Sequence, residues 1–495
     1  MAEDLCGFGH ARVWRLIELR LLPRGAIVAI LMPLLYLSTA SATFLYRVHT
    51  GNGDRDTGVL RVVEPPRSSD RIVVFSPHPD DETLGCGGLI ARARRAGASV
   101  DVVFFTNGDA FRVAVQREYR LLRVEPDDFV RFAALRQEEA RRAVGVLGVP
   151  PDHVHFLGYA DRGLLEMWTD HWSPQNPYIS PYTRRDRTIG ASSAEPALYC
   201  GRDVEADVIR ELRAAEPTAV YVTHPSDDHI DHLAASAFVT HALMRLRDEG
   251  VPWAQECRLR YYVVHRGDWP VPGGLHPDRR LSPPSEMVGL DCQWYLLPLS
   301  ADDVALKAKA IGQYASQLGV TRNFLLSFAR QTEPQAQVDP ADVPQTPDGR
   351  IELDGKRSDW SGLAPIALDP VNDNLLRDFQ RGGDITALYA CKDSRNLYLR
   401  IDTFRPTSQS VSMRVLLRAF GADGSADESR FLPIRISPNG QAVGDGAWVA
   451  RQGALTEIAL PLRRLQGART LAISVETSVA GLLVDRTGYR FVRMR

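Results

Sequence analysis

An apolar run that ends in a polar cluster indicates the fold of this chain: Ile72-Val73-Val74-Phe75-Ser76-Pro77-His78-Pro79-Asp80-Asp81-Glu82. Four consecutive apolar residues without alternation are typical of a strand buried on both faces. A helical pattern follows over 83–98, and a second buried run follows over 100–105. This order predicts a parallel βαβ unit whose ligand site lies where the strands end.

The same alternation continues along the next 220 or so residues and predicts a parallel sheet with helices on both faces. Helices are expected over 129–147, 204–215, 233–247 and 301–317, and strands over 154–157, 219–223 and 260–264. We therefore place one α/β domain at residues 70–330. The aromatic and proline-rich stretch 164–200 interrupts it as a long loop, and such loops are often functional. Its rings would either stack on sugar faces or pack on one another.

The composition is that of a soluble globular protein, with 44% hydrophobic and 24% charged residues among 495. The 59 basic and 61 acidic residues leave a net charge of −2. This excludes a global positive field, and we expect no nucleic-acid partner. None of the six cysteines forms a CxxC pair. One disulfide among Cys200, Cys257 and Cys292 is compatible with a chain outside the cytoplasm, but the sequence does not choose the pair.

The segment 25–46 is uncharged over 22 residues, and as a helix it would span about 33 Å, enough for a bilayer core. Arginines at 12, 15, 20 and 24 precede it, so the positive-inside rule places residues 1–24 in the cytoplasm and the remainder outside. Alternatively, Ala40-Ser41-Ala42 would be a signal-peptidase site, and a secreted chain would begin at Thr43. Both interpretations export the catalytic part. A polar tether over 47–69 would connect the apolar segment to it.

Residues 331–350 contain four prolines among Gln and Asp and are predicted to form a linker. After it the periodicity changes to that of strands, as in 397–401, 411–417 and 471–475, separated by Gly, Asp and Ser. An all-β sandwich over 351–495 is expected.

The polar cluster after the first strand has the composition of a metal site. His78 and Asp81 are three residues apart, so a tight turn would aim both side chains at one ion, with Asp80 beside a metal-bound water. Helix capping is the alternative role of these carboxylates, but it accounts for only one Asp.

A second cluster, His224-Pro225-Ser226-Asp227-Asp228-His229-Ile230-Asp231-His232, follows the predicted strand 219–223. A catalytic zinc ion usually has three protein ligands and one water. His78, Asp81 and one histidine of this second cluster would complete such a set.

Several short motifs together resemble the PIG-L/LmbE family of zinc-dependent de-N-acetylases over about 70–320. They are His78-Pro79-Asp80-Asp81-Glu82, Thr106-Asn107-Gly108-Asp109, Arg136-x-x-Glu139 with Leu147-Gly148, Leu157-Gly158-Tyr159-Ala160-Asp161, His229-Ile230-Asp231-His232, and Lys307 with Tyr314-Ala315-Ser316-Gln317. The resemblance implies a Rossmann-like sheet. The family pattern usually has Pro where this chain has Ile230, and the aromatic stretch is longer than expected.

The resemblance also implies roles for individual residues. His78, Asp81 and His232 would bind one zinc ion, and Asp80 would be the general base. His229 would stabilise the oxyanion or protonate the leaving amine, and Asp231 would orient a histidine.

The β region resembles DOMON-like and family-nine-type carbohydrate-binding sandwiches through Leu353-Asp354-Gly355, Asp359-Trp360, the stretch 397–402 and the stretch 458–462. This resemblance implies glycan binding, or only a partner surface.

We expect an extracytoplasmic zinc hydrolase that removes an N-acetyl group from an N-acetylglucosamine-type sugar in a glycan or glycolipid. Two alternatives remain open. One is a metal amidase acting on a small N-acyl substrate, and the other is a membrane-tethered glycan-binding protein with an idle site.

Overall fold

The computed structural model describes residues 60–371, 381–421, 430–443, 446–465 and 467–494. The first part is built on an eight-stranded sheet in the order β1-β7-β8-β6-β5-β2-β3-β4. Its strands are β1 (Arg61–Val62), β2 (Arg71–Ser76), β3 (Ser99–Thr106), β4 (Val154–Tyr159), β5 (Ala219–Thr223), β6 (Arg258–Tyr262), β7 (Gln293–Pro298) and β8 (Thr332–Gln337). The apolar run 72–75 lies in β2, in which Val73, Val74 and Phe75 are fully buried.

Helices connect these strands and form two layers. The helices are α1 (Asp81–Arg95), α2 (Arg112–Tyr119), α3 (Pro126–Val146), α4 (Leu164–Trp168), α5 (Gly201–Ala215), α6 (Ile230–Asp248), α7 (Pro252–Glu256), α8 (Ala301–Ile311) and α9 (Ala315–Leu326). Helices α1, α3 and α8 contact one another, and helices α4, α5 and α6 form a second group. The expected α/β architecture is therefore confirmed.

The prediction of a purely parallel sheet is wrong in one strand. β8 runs antiparallel to both β6 and β7, whereas the other neighbouring strands are parallel. β8 was assigned to the linker because its sequence, Thr-Glu-Pro-Gln-Ala-Gln, is polar. Glu333 is nevertheless fully buried, since it accepts hydrogen bonds from Lys307 Nζ at 2.7 Å and Leu89 N at 2.8 Å.

The predicted linker is therefore much shorter than 331–350. β8 ends at Gln337, and the next strand, β9 (Ala341–Asp342), already pairs with a strand of the C-terminal part. Part of the predicted tether also belongs to the fold, because β1 pairs with β7 at the sheet edge.

The C-terminal part consists of two further β-sheets. One has five strands in the order β10-β11-β12-β17-β16, and the other runs β15-β14-β13-β18-β20-β9, with β19 paired to β18. The strands are β10 (Ala367–Leu368), β11 (Ile385–Lys392), β12 (Asn396–Thr403), β13 (Val411–Phe420), β14 (Phe431–Ile436), β15 (Ala442–Val443), β16 (Trp448–Gln452), β17 (Leu455–Pro461), β18 (Thr470–Val479), β19 (Leu482–Arg486) and β20 (Arg490–Arg493). Residues of both sheets form one hydrophobic cluster, as expected for packed sheets.

The aromatic stretch 164–200 lies between the two parts of the molecule. Trp168 and Trp172 are fully buried, and Trp168 contacts Phe238 and Phe420 at centroid distances of 4.9 and 5.9 Å. The guanidinium of Arg418, on β13, lies 4.3 Å from the centroid of the Trp172 ring. These two tryptophans are therefore packing residues, and stacking on a sugar is excluded for them.

A membrane helix and a disulfide are the two structural features that were expected of an exported chain. No helix of the described residues has the length and hydropathy to cross a bilayer, and the predicted membrane segment 25–46 lies outside them. Cys200, Cys257 and Cys292 are all free thiols, so they do not form the disulfide considered above.

Phe420→Ala should destabilise the whole molecule, because this ring of the C-terminal part belongs to the core of the first part. The ring is 1% exposed and stacks on His241 with centroids 3.6 Å apart. We expect the free energy of unfolding to fall by about 3–5 kcal/mol in denaturant titration. The matched control is Leu482→Ala, whose side chain is 68% exposed and should change stability by about 0.5 kcal/mol or less. Equal stabilities for both variants would contradict a shared core.

Candidate metal centre and active site

The two polar clusters meet because β2 and β5 are neighbours. The strands pair in parallel, with Val73 opposite Val220, so their carboxyl ends lie side by side. The chain leaves β2 into the His78 turn and α1, and it leaves β5 into the loop 224–229 and α6. The site thus lies at the edge where ligands bind in such sheets.

Three side-chain atoms converge at this edge, and they belong to the three predicted metal ligands. His78 Nδ1 lies 3.1 Å from Asp81 Oδ2. His232 Nε2 lies 3.0 Å from the same oxygen and 3.2 Å from His78 Nδ1. Ligands at roughly 2.0 Å from a tetrahedral zinc ion are about 3.3 Å apart, so the triangle closely matches one face of that tetrahedron.

Carboxylates on the far side of both rings determine which nitrogen faces the triangle. His78 Nε2 lies 3.2 Å from Asp231 Oδ2 and 3.4 Å from Asp161 Oδ1. His232 Nδ1 lies 3.1 Å from Asp227 Oδ1. In the neutral tautomers these outer nitrogens carry the proton, and the inner nitrogens present lone pairs. Carboxylate, histidine and metal in series is a common arrangement of zinc sites, and the residues present therefore fit a divalent cation.

The electrostatics of Asp81 agree with this arrangement. The carboxylate is buried, which by itself raises its pKa, but the contacts with His232 and His78 hold the pKa well below the usual range. Asp81 therefore stays ionised and available as a ligand.

Asp80, the predicted general base, points into the cavity beside these ligands. Its backbone φ of 131° lies in a region that favours glycine, and such strain is common at functional sites. Burial raises the pKa of Asp80 to about 8, opposed mainly by Arg136, whose Nη2 lies 3.4 Å from Asp80 Oδ2. A nearby divalent cation would favour the ionised form.

His229 caps α6 and faces the cavity. Its Nδ1 accepts a hydrogen bond from Asp231 N at 3.2 Å, so in the neutral ring the proton is on Nε2. Burial, followed by the charges of His78 and His232, lowers its pKa well below the usual value. His229 is therefore a neutral hydrogen-bond donor.

Asp231 lies behind the ligands and lines no part of the cavity. Its carboxylate accepts from Arg162 N at 2.6 Å and from Leu164 N at 3.1 Å while it contacts His78 Nε2. This geometry suits the expected role of orienting a histidine, which stays a prediction.

The cavity in front of these residues has a volume of about 220 Å³. This is below the roughly 300–1,000 Å³ of pockets that enclose drug-sized ligands, so it suits one small chemical group. Its walls include four of the predicted site residues, His78, Asp80, Asp81 and His229. The other lining residues are Leu84, Gly108, Phe111, Arg136, Asp161, Arg162, His265, Gln317, Thr321, Phe324 and Leu325.

Residue-level reasoning missed four contributors to the site. Asp161 and Arg136 belong to the family-like motifs, and Asp227 belongs to the second polar cluster, but the sequence predicted no individual role for any of them. His265 was not singled out, although it follows β6 and its ring lies 5.0 Å from that of His232. Its position after a strand of the same sheet was the available signal.

Other family-like residues hold elements around the site in place rather than line the cavity. Glu82 is fully buried, accepts from Asp80 N at 3.1 Å and is hydrogen-bonded to Tyr314. Glu139 accepts from Ser316 N and Oγ at 2.8 and 2.6 Å, which ties α3 to α9. Glu82 therefore supports the turn that carries two of the predicted ligands, whereas Glu139 holds two helices together.

The fold and the donor set define a class: an α/β protein with a candidate mononuclear metal centre at the carboxyl edge of its sheet. Residues 73–243 match the family described as PIG-L: GlcNAc-PI de-N-acetylase. The chain is 30% identical over 273 residues to the 1D-myo-inositol 2-acetamido-2-deoxy-alpha-D-glucopyranoside deacetylase of Tsukamurella paurometabola, covering 50% of this chain and 84% of that protein. The chain therefore belongs to the PIG-L family, and the prediction of a de-N-acetylase is confirmed.

Two further similarities are more limited. A deacetylase of the same name from Mycobacterium sp. (strain KMS) is 31% identical over 37% of this chain, which spans only 54% of that relative. The solved structure of N,N'-diacetylchitobiose deacetylase from Pyrococcus horikoshii is 18% identical, with a TM-score of 0.33, over 54% of this chain and 84% of that one. The family match ends at residue 243, so glycan binding by the C-terminal part stays a prediction.

His78→Ala should abolish stoichiometric binding of a divalent ion, because it removes one of the three converging donor atoms. Metal content after dialysis, measured by mass spectrometry, checks this. His153→Ala is the control, since His153 precedes β4 at the opposite edge of the sheet and pairs with Asp101 at 2.8 Å. Full metal content in a folded His78→Ala protein would contradict the assignment.

Proposed function

We propose that this protein is an extracytoplasmic zinc hydrolase that removes the acetyl group from an N-acetylglucosamine-type sugar in a glycan or glycolipid. The observation that carries this proposal is the triangle of His78 Nδ1, Asp81 Oδ2 and His232 Nε2, with edges of 3.0–3.2 Å, beside the carboxylate of Asp80. Two nitrogens and one carboxylate oxygen form a donor set that zinc prefers at catalytic sites.

Hydrolysis of an amide requires a nucleophile, a base, charge stabilisation and a proton for the leaving nitrogen. A zinc ion held by the three ligands would activate water at neutral pH and polarise the acyl oxygen. Asp80 is placed to take the proton of the attacking water and to pass it to the leaving amine. The strained turn and the contact with Arg136 fix the position of its carboxylate.

We assign His229 the role of stabilising the oxyanion. The hydrogen bond from Asp231 N to Nδ1 leaves Nε2–H as a donor towards the cavity. A preorganised donor that faces the developing negative charge stabilises the transition state more strongly than a water molecule does in solution. Of the two roles expected for His229, the geometry favours oxyanion stabilisation over protonation of the amine, which Asp80 would then perform.

The small cavity suits the acetyl group at the reacting end of a substrate, and the names of the relatives support an acetamido sugar. A small N-acyl compound would fit the same cavity, so the metal amidase remains the second candidate. The C-terminal sheets would bind the remainder of a glycan, as their resemblance implies. A glycan-binding protein with an idle site is disfavoured, because all expected site residues are brought together.

Asp80→Asn should lower the rate of acetate release by about 10²- to 10⁴-fold while metal content is unchanged, because it removes the base without removing a ligand. The assay measures acetate released from a panel of N-acetylglucosamine-containing glycans and small N-acetyl compounds. Asp152→Asn, an exposed position before β4, is the control. Full activity in Asp80→Asn would exclude it as the base, and faster release from the small compounds would favour the amidase.

The catalytic part should be accessible only from outside the cell membrane, since the arginines before residue 25 hold the N-terminus in the cytoplasm. In a bacterial host, protease added to intact spheroplasts should digest the chain, whereas a cytoplasmic marker protein survives. The N-terminal sequence of the isolated protein separates an uncleaved anchor from a chain that begins at Thr43. Protection until the membrane is lysed would place the enzyme in the cytoplasm.

A further inference from the structure

The turn between β19 and β20 lies directly against the loop that carries the second polar cluster. Gly488 is buried in this turn, and a methyl group there would overlap the carbonyl of Pro225 and come within 3.0 Å of Ser226 N. Its φ is not positive, so the backbone itself would accept alanine. Glycine is required at this position by the close approach of the loop.

The turn is held rigidly by its own sheet. Thr487 N donates to Val475 O at 2.9 Å, and Thr487 Oγ1 accepts from Val475 N at 2.9 Å. Ser474 Oγ donates to Thr487 O at 2.7 Å. The turn therefore presents a fixed surface to residues 225–226.

Arg490 forms a second link between the C-terminal part and the same loop. The residue is 5% exposed, and its guanidinium makes a two-point ion pair with Asp291 at 3.1 and 3.2 Å. Arg490 Nη2 also lies 3.5 Å from Ser226 Oγ. Asp291 precedes β7, so this arginine joins β20, the loop and the first sheet.

The loop transmits its position to a metal ligand within two residues. Asp227 follows Ser226, and its N donates to His224 O at 3.0 Å. Asp227 Oδ1 lies 3.1 Å from His232 Nδ1, and Oδ2 accepts from the amides of Val264 and His265 at 2.9 and 3.0 Å. A shift of the loop would therefore disturb the carboxylate that orients His232.

We propose that the C-terminal β part belongs to the catalytic unit, and that Gly488 and Arg490 are positioning residues that hold Asp227, and through it His232, in the geometry for metal binding. This inference rests on the metal centre of the proposed function. Gly488 and Arg490 lie more than 200 residues beyond residue 243, where the family match ends. The inference therefore gives a segment outside the matched region a role in the site.

The decisive comparison is Gly488→Ala against Gly382→Ala in the full-length protein. A methyl group at Gly382 would overlap the carbonyl of Pro406 in the same way, but within the C-terminal part and away from the loop. Zinc affinity is measured by competition with a chelator, and stability by thermal unfolding. We expect about 10- to 100-fold weaker zinc binding in Gly488→Ala only, with a similar fall in Tm in both variants. Equal zinc affinity in both variants would overturn the proposal.

Arg490 provides an independent test if Gly488→Ala fails to fold. Arg490→Ala should weaken zinc binding, and Arg490→Lys should restore part of it by retaining the charge opposite Asp291. Hydrogen exchange of the amides of 224–232 in the zinc-free protein should be faster in Arg490→Ala than in Arg490→Lys. Unchanged exchange and affinity in both variants would refute the positioning role.

The two proposals fail in distinguishable ways. Zinc binding without acetate release by the unmodified protein would contradict the deacetylase but would leave the affinity comparison valid. Acetate release together with unchanged zinc affinity in Gly488→Ala and Arg490→Ala would contradict only the positioning role.

Discussion

The parallel pairing of β2 with β5 is the constraint on which the rest of the site depends. It brings together residues that are 154 positions apart in the chain, so that His78 and His232 come within 3.2 Å of each other. Both strands are almost wholly buried on both faces, so a slip of one residue would move every side chain to the opposite face and disrupt the packing on both sides. The register of the core therefore also determines the geometry of the metal ligands.

Around this junction the charges are arranged in layers. The three converging donor atoms face inward, and three carboxylates, those of Asp231, Asp161 and Asp227, lie behind the two rings. Buried acceptors that face one another without a proton between them are costly unless a cation compensates them. A divalent cation bound between the three inward donor atoms would supply this compensation.

The C-terminal sheets also contact the core of the α/β part and the loop beside the site. Their aromatic residues enter the core beside Trp168, and the turn at Gly488 touches the loop that bears Asp227. An interface with buried aromatic rings and a buried arginine behaves as part of a core rather than as a contact between mobile domains. The two parts are accordingly one structural unit around one site.

Much of the fold followed from the sequence alone, and the sequence also predicted the three side chains that the structure brings together as candidate ligands. Runs such as 72–75 specify buried strands through local backbone preference, and histidine with aspartate after two such strands restricts the chemistry to metal binding. Strand β8 was missed because burial of Glu333 depends on Lys307, which is 26 residues away. The aromatic stretch was left undecided because the groups that cover it, such as Arg418 on Thr169 O, come from 249 residues further on.

The sequence by itself thus determined the α/β pattern, the β-rich C-terminal part and the identity of the candidate metal donors, because these depend on short-range periodicity and on side-chain chemistry. Only the tertiary structure decided the antiparallel strand, the packing role of Trp168 and Trp172, and the contact of Gly488 with Pro225. Each of these depends on whether a buried polar group or ring finds a partner, and the partner is supplied by a remote part of the chain.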